Sequence, residues 1–272
     1  MKNNNSKLSK ISDHLRLAVM LAKRDLKNRY ASSYAGIAWN IGVPLLYAII
    51  NVVVFSIFMS GRMGVRYGDI PFALFYFVPL TLWAFFSDVV GRSTGILREY
   101  GYLINKIAFP FWVLPLVPIA SALLSQGILL VLVGGLMAYH GIAPAGTAGI
   151  YILIWLMCVM LTLGVAYAIS AVAVYVPDLA QIVPVGINIL FWLTPILYPA
   201  TLVDQGGSLW VRSLILDFNP FSYIVEFSRH AVFGSASVSW NALTTVGLIS
   251  IVTLIAGLLV FRKLKPGFAD VI

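Results

Sequence analysis

The sequence predicts an all-α integral membrane protein with six spans, an N-terminal amphipathic interface helix, external re-entrant half-helices and both termini in the cytoplasm. Three observations predict it. The 272 residues are 60% hydrophobic and include only 18 Lys or Arg and 10 Asp or Glu, where a soluble chain of this length carries about a quarter charged residues, roughly 68. From Ile107 through Pro177, 71 consecutive residues contain no charge at all. The basic residues that remain crowd the N-terminus and a few turns beside the apolar runs. Surface-to-volume scaling gives no soluble fold of this size enough interior to hide such a stretch, and the one cysteine, Cys158, excludes an intramolecular disulfide framework.

The first 36 residues are the cytoplasmic segment. Within it, residues 11–30 suit an amphipathic helix with Ile11, Leu15, Ala18, Val19, Ala22 and Leu26 on one face and Arg16, Lys23, Arg24 and Lys27 mostly elsewhere. Such a helix lies in the headgroup layer, cations among phosphates, or serves only as a topology anchor. No short apolar core with a small-residue cleavage site marks a signal peptide.

A helix needs about 20 apolar residues to cross about 30 Å of hydrocarbon. Ile37–Met59 and Ile70–Val90 supply the first two spans. The run Ile107–Tyr139 would extend roughly 50 Å as one helix. Pro110, Pro115 and Pro118 break its start, which predicts an elbow and then a span from about Val117. The fourth span covers Thr147–Tyr175, the fifth Gln181–Tyr198 with Pro184 and Pro195 inside, and the sixth Asn241–Phe261. A single domain over 1–272 results, with the six-span region at 37–261 and a tail at 262–272. Ala200–Ser239 is too apolar for a free loop. Asn219-Pro220 divides it into two short helices that dip back into the outer leaflet or lie flat on it; non-helical backbone at that depth needs protein or water against it.

With six spans, fourteen Lys or Arg fall on the side of the termini and four on the other. The positive-inside bias makes the basic side cytoplasmic. The net charge of +8 is therefore a topology and anionic-lipid feature, not a nucleic-acid one.

Several chemistries have no motif. There is no GxxxxGK[ST] phosphate loop, no HExxH or Cys/His spacing for a metal, with His14, His140 and His230 far apart, and no GxSxG nucleophile. Asp88 is the only acid within an apolar run, so ion-coupled transport lacks the usual intramembrane charges. A chain of this kind conducts passively, acts as a scaffold or is driven by a partner. Tyr76, Phe77, Trp83 and Phe86 in span two, with Phe191 and Trp192 in span five, suit a conduit for a sugar polymer, because aromatic faces stack on sugar C–H faces. The plainer reading is an interface belt and helix packing.

Four segments in register resemble a known family. Arg24-Asp25-Leu26-Lys27-Asn28-Arg29-Tyr30 followed by Ser33, Gly36, Trp39 and Pro44 is similar to the entry of the ABC-2 type polysaccharide-export permeases. Leu103-Ile104-Asn105-Lys106-Ile107-Ala108-Phe109-Pro110, Asp178-Leu179 with Thr194-Pro195-Ile196-Leu197-Tyr198-Pro199, and Asn219-Pro220-Phe221 with Arg229 resemble three later segments of that family. Ala35, Phe111 and Pro177 depart from it.

The resemblance implies a half-transporter: two copies of this permease with two copies of a separate P-loop ATPase. ATP and Mg²⁺ belong to that partner, and this chain has no cofactor and is not itself an enzyme. The cargo would be a lipid-linked polysaccharide such as O antigen, capsule or teichoic acid, exported across the bacterial inner membrane. By the same resemblance, Gly91–Lys106 docks the ATPase, with Arg98, Glu99, Tyr100 and Lys106 as contacts. Lys23, Arg24, Lys27 and Arg29 meet the lipid pyrophosphate, as cations suited to phosphate. Asn219, Pro220, Phe221 and Arg229 belong to an external gate. The alternatives are an ABC-2 exporter of drugs or small lipids, a membrane-embedded glycan- or lipid-assembly enzyme, and a passive channel or scaffold.

Overall fold

The computed structural model describes residues 16–25, 27, 38–58, 67, 70–104, 110–206 and 208–271. These are helical with no strand among them, and eight helices of ten residues or more form the frame. They are α1 (16–25), α2 (Trp39–Phe58), α3 (Phe72–Ser93), α4 (Leu116–Tyr139), α5 (Ile150–Tyr175), α6 (Leu179–Leu193), α7 (Pro220–Phe233) and α8 (Trp240–Leu264). Four segments are long and apolar enough to cross a membrane: Phe72–Ser93, Phe111–Tyr139, Ile150–Tyr175 and Trp240–Gly267. The chain is thus a multi-pass membrane protein by length and composition.

α3 is the central post. It buries the unbroken run from Leu74 to Trp83, and α2, α4, α5, α6 and α7 all pack on it. A soluble helix shows one apolar stripe, whereas one surrounded by protein is apolar all round; that is why span two is so rich in large side chains. α5 and α8 form the other principal pair. They cross where two glycines meet: a Cβ on Gly257 would lie 2.0 Å from the Gly164 carbonyl oxygen, and one on Gly164 would lie 2.4 Å from the Thr253 carbonyl. Small residues allow this backbone approach in a bilayer, where apolar burial does not favour helix association over lipid contact.

The proline-rich start of the third run behaves as expected. A single 3₁₀ turn occupies Phe111–Val113, and α4 begins after Pro115. The fifth run departs from expectation. Its helix ends at Leu193, five residues short of Tyr198, because Thr194 turns extended and Pro195 follows. Fifteen residues rise about 22 Å, less than the hydrocarbon thickness. α6 buries none of its residues within the chain.

The external stretch also differs in detail. The piece before Asn219 is itself divided, into Ala200–Gly206 and Leu209–Arg212 running on as a π-helical turn through Asp217. Leu209, Trp210 and Phe218 are left exposed. The second piece is α7, for the reason read from Asn-Pro. The Asn219 side chain accepts from the Phe221 amide at 3.0 Å, Pro220 takes the first helical position, and Gly234 at φ 64° closes the other end. α7 buries Phe221, Ile224, Val225, Phe227 and Arg229 against the bundle.

A second apolar cluster sits at the opposite end. Leu21 and Ala22 of α1 join Ile96, Leu97 and Tyr100 from the turns after α3, Leu114, Tyr167 and Val174, and then Phe261 and Phe268 from the chain's last helical segments. Gly267 packs closely there: a Cβ would lie 2.4 Å from the Tyr175 hydroxyl, so that side chain would have to swing aside. That hydroxyl donates to the Leu264 carbonyl at 2.8 Å. The buried face of α1 is Ala18, Leu21, Ala22 and Asp25, whereas Val19 is 50% exposed. Positions i, i+3, i+4 and i+7 share one stripe, and Val19 lies well round the helix from its centre. Ile11, Leu15 and Leu26 fall outside the described residues.

Candidate functional site

Three polar constructions interrupt the apolar frame. The first joins the external segment to the end of α6. Arg229 is fully buried, and its guanidinium donates to three carbonyls: Nε to Phe75 at 3.1 Å, Nη1 to Pro195 at 2.7 Å and Nη2 to Ile196 at 2.6 Å. The Phe75 ring lies 3.6 Å from the guanidinium carbon, and Glu226 approaches to 3.7 Å. Pro79 leaves the Phe75 carbonyl of α3 without a helical donor, and Pro195 and Ile196 lie in the non-helical turn after Leu193, so one guanidinium supplies all three oxygens. Asn219 adds a bond to the Thr194 hydroxyl at 3.0 Å. Burial pulls Arg229 down to about 10 while Glu226 and Tyr67 oppose the shift, so the group stays charged at neutral pH. The Tyr67 hydroxyl donates to Glu226 at 2.8 Å. Burial, and then the Glu226 charge, hold that phenol above its ordinary range.

The second is a cavity of about 490 Å³ between α2, α3, α4 and α6. Tyr76, Trp83 and Phe191, all singled out from sequence, line it together with Asn51, Asp88, Ser125 and Gln126. The Asn51 amide donates to the Tyr76 hydroxyl at 3.1 Å. Trp83 packs against Phe191 at 5.6 Å and edge-on against Phe221 at 5.1 Å. Phe77 and Phe86 are buried in the adjacent core without lining the cavity, Phe86 lying 4.9 Å from Phe221. Trp192 faces outward, 57% exposed. Phe221, read as part of a gate, thus touches Trp83 and Phe86, two of the rings read as suited to a conduit.

The third lies at the α1 end. Asp25 forms an ion pair with Arg92 through one carboxylate oxygen and accepts from the Ser121 hydroxyl at 3.1 Å through the other. α1, the end of α3 and the start of α4 are tied at one carboxylate. Among the described residues Arg92 Nη1 has no partner. Beyond Arg92 the turns Ile96–Glu99 and Gly101–Ile104 follow. Arg98 donates to the Val174 carbonyl at 2.8 Å, closing the end of α5. Arg98 and Glu99 are exposed, and Tyr100 is buried. Lys23, Arg24 and Lys27 are exposed on α1 and the residues after it, with the Arg24 guanidinium 6.0 Å from the Tyr102 ring centre. Arg29 and Lys106 lie outside the described residues.

Because the Asp25–Arg92 pair is largely buried, removing one partner strands a charge, at a cost of about 3–5 kcal/mol. Asp25→Ala and Arg92→Ala are each expected to lower the thermal midpoint clearly. The double variant should lose less than the two losses added, the mark of direct coupling. Strictly additive midpoints in a detergent-solubilised melting series would refute the pairing.

The sequence reading used Asp25 only as part of a motif and placed Arg92 only in a charge count. Their partnership spans 67 positions and leaves no local pattern. Gln126 went unnoticed although it is a polar residue inside a charge-free run, which is itself a marker of function in a membrane helix.

Residues 16–233 match the profile of the family described as ABC-2 type transporter. The chain is 28% identical over 254 residues to the O-antigen export system permease protein RfbA of Myxococcus xanthus, covering 93% of this chain and 94% of that one. It is 29% identical over 263 residues to the protein of the same name from Klebsiella pneumoniae, covering 94% and 95%. The polysialic acid transport protein KpsM of Escherichia coli is 24% identical over 248 residues, covering 88% and 90%.

Proposed function

Because this chain belongs to the ABC-2 type transporter family, we propose that it is the transmembrane permease subunit of an ATP-driven polysaccharide exporter. One observation carries the reading: the likeness to an O-antigen export permease and to a polysialic acid transport protein runs nearly end to end in both partners. The aromatic cavity supports it, since flat rings bordered by amides and hydroxyls suit sugars better than ions.

The finer assignments follow from that proposal. The chain acts as a homodimer with two copies of a separate ATPase, which holds the ATP and Mg²⁺. It exports a lipid-linked glycan across the bacterial inner membrane, with both termini cytoplasmic. α2 and α6 are the first and fifth of six crossings. α6, apolar yet unburied within the chain, fits a helix that finds part of its packing in lipid or in the second copy. The ATPase meets Gly91–Lys106, where Arg98 and Glu99 present charge and Tyr100 anchors the turn. Lys23, Arg24, Lys27 and Arg29 receive the pyrophosphate, and Asn219, Pro220, Phe221 and Arg229 frame the exit. The Asp25–Arg92 tie gives motion of the docking turns a direct route to α1.

Reconstitution with a P-loop ATPase in vesicles tests this. ATP-dependent movement of a lipid-linked glycan is expected from the pair and none from the chain alone. The charge reversals Arg98→Glu and Glu99→Lys should cut transport about tenfold or more, since like-charge juxtaposition at an interface costs several kcal/mol. Full transport without any ATPase would end the proposal.

A further inference from the structure

We propose that the cavity between α2, α3, α4 and α6 is a glycan-binding subsite in which Gln126 is the specificity-determining hydrogen-bond donor. This deepens the export reading and rests on it. The Gln126 amide is oriented without ambiguity. The indole N–H of Trp155 is a donor only and gives its hydrogen to Gln126 Oε1 at 2.8 Å, so the other end of the amide must be Nε2. Gln126 is 3% exposed, it lines the cavity, and Nε2 has no partner among the described residues. Buried polar groups are almost always paired, and an exception asks for an absent partner.

The surroundings say what that partner is. From Tyr76 to Asp88 the cavity follows α3 for about 18 Å, the length of a short oligosaccharide, and its volume of about 490 Å³ lies within the range of ligand sites. Tyr76, Trp83 and Phe191 offer ring faces along it. A lipid acyl chain would fill the space but leave the amide unpaired, at a cost of about 1–3 kcal/mol. A sugar satisfies both features at once: a hydroxyl oxygen accepts from Nε2, and its C–H faces meet the rings. Sequence alone reads Tyr76, Trp83 and Phe191 as rings suited to a sugar conduit. The added content is a fixed donor, held in register by Trp155, at which a passing unit is read.

The experiment uses the transporter, permease with its ATPase, in nanodiscs, with maltotriose as the probe and saturation-transfer NMR as the readout. Brominated phospholipid in a parallel preparation detects acyl chains by quenching of tryptophan fluorescence. Wild type is expected to transfer saturation to maltotriose. Gln126→Leu removes the whole amide. Gln126→Glu keeps the acceptor for Trp155 and replaces only the donor. Both should weaken binding about five- to tenfold, the worth of one hydrogen bond, and slow ATP-driven glycan export. Three results overturn the inference: no transfer in wild type, quenching by brominated lipid that Trp83→Phe abolishes, or Gln126→Glu binding like wild type, which would mean that Gln126 acts only through Trp155. If wild type exports lipid-linked glycan while one of these holds, the subsite fails and the export reading stands. If wild type exports none, the export reading itself has failed.

Discussion

Arg229→Leu is expected to leave little folded protein, and Arg229→Lys to recover only part of it. The guanidinium serves three carbonyls from two separate elements, Phe75 on α3 and Pro195 and Ile196 at the break after α6. Leucine fills the volume but leaves those oxygens unpaired and Glu226 without its cation. At roughly 1–3 kcal/mol for each stranded group, the loss approaches the 5–15 kcal/mol that holds a typical domain together. Lysine keeps the charge, yet a single ammonium cannot reproduce a planar fork aimed at three acceptors. It also gives up the contact with Phe75, where the guanidinium lies 3.6 Å from the ring centre. Size-exclusion profiles and thermal midpoints in detergent should rank wild type above Arg229→Lys and Arg229→Lys above Arg229→Leu. A midpoint for Arg229→Leu within a degree or two of wild type would show that the latch is dispensable.

Gly257→Val should be the other severe change. Its Cβ would fall 2.0 Å from the Gly164 carbonyl oxygen, which is backbone and cannot rotate away. α5 and α8 must then separate along their whole contact, and forced overpacking costs about 1–3 kcal/mol or more even when neighbours are side chains. Even Gly257→Ala meets the clash, because the first added carbon causes it. Gly134 supplies the control. It lies on α4 with nothing within 4 Å of an added Cβ, so Gly134→Ala should be neutral or raise stability by up to about 1 kcal/mol through helix propensity. Equal tolerance at Gly134 and Gly257 in a melting assay would contradict the crossing.

What was readable in advance follows the range of the forces involved. Helix α7 was announced by Asn219-Pro220, because capping acts within a few residues. The elbow before α4 was announced by Pro110, Pro115 and Pro118. The early stop of α6 was not readable. Pro195 alone permits a break there, but Arg229, thirty-four positions on, is what supplies donors to the Pro195 and Ile196 carbonyls of the turn. Which face of α1 meets the rest of the chain was not readable for a similar reason: an aspartate looks solvent-seeking until Arg92 is known to face it. Gly164 with Ala168 and Gly257 with Thr253 stand in small-xxx-small spacings, but such a spacing does not name the helix that will cross it. The cavity followed the same rule. Its rings were visible as composition, whereas the unpaired amide of Gln126 exists only once Trp155 is placed beside it.

The cluster that joins Leu21 and Ala22 to Phe261 and Phe268 sets an order of events during synthesis. A nascent chain emerges from the ribosome N-terminus first, so α1 is exposed long before the phenylalanines that share its core have been translated. Throughout that interval its apolar stripe must be shielded by lipid or a chaperone. Any product truncated before Phe261 lacks both phenylalanines of that cluster and leaves this part of the stripe uncovered.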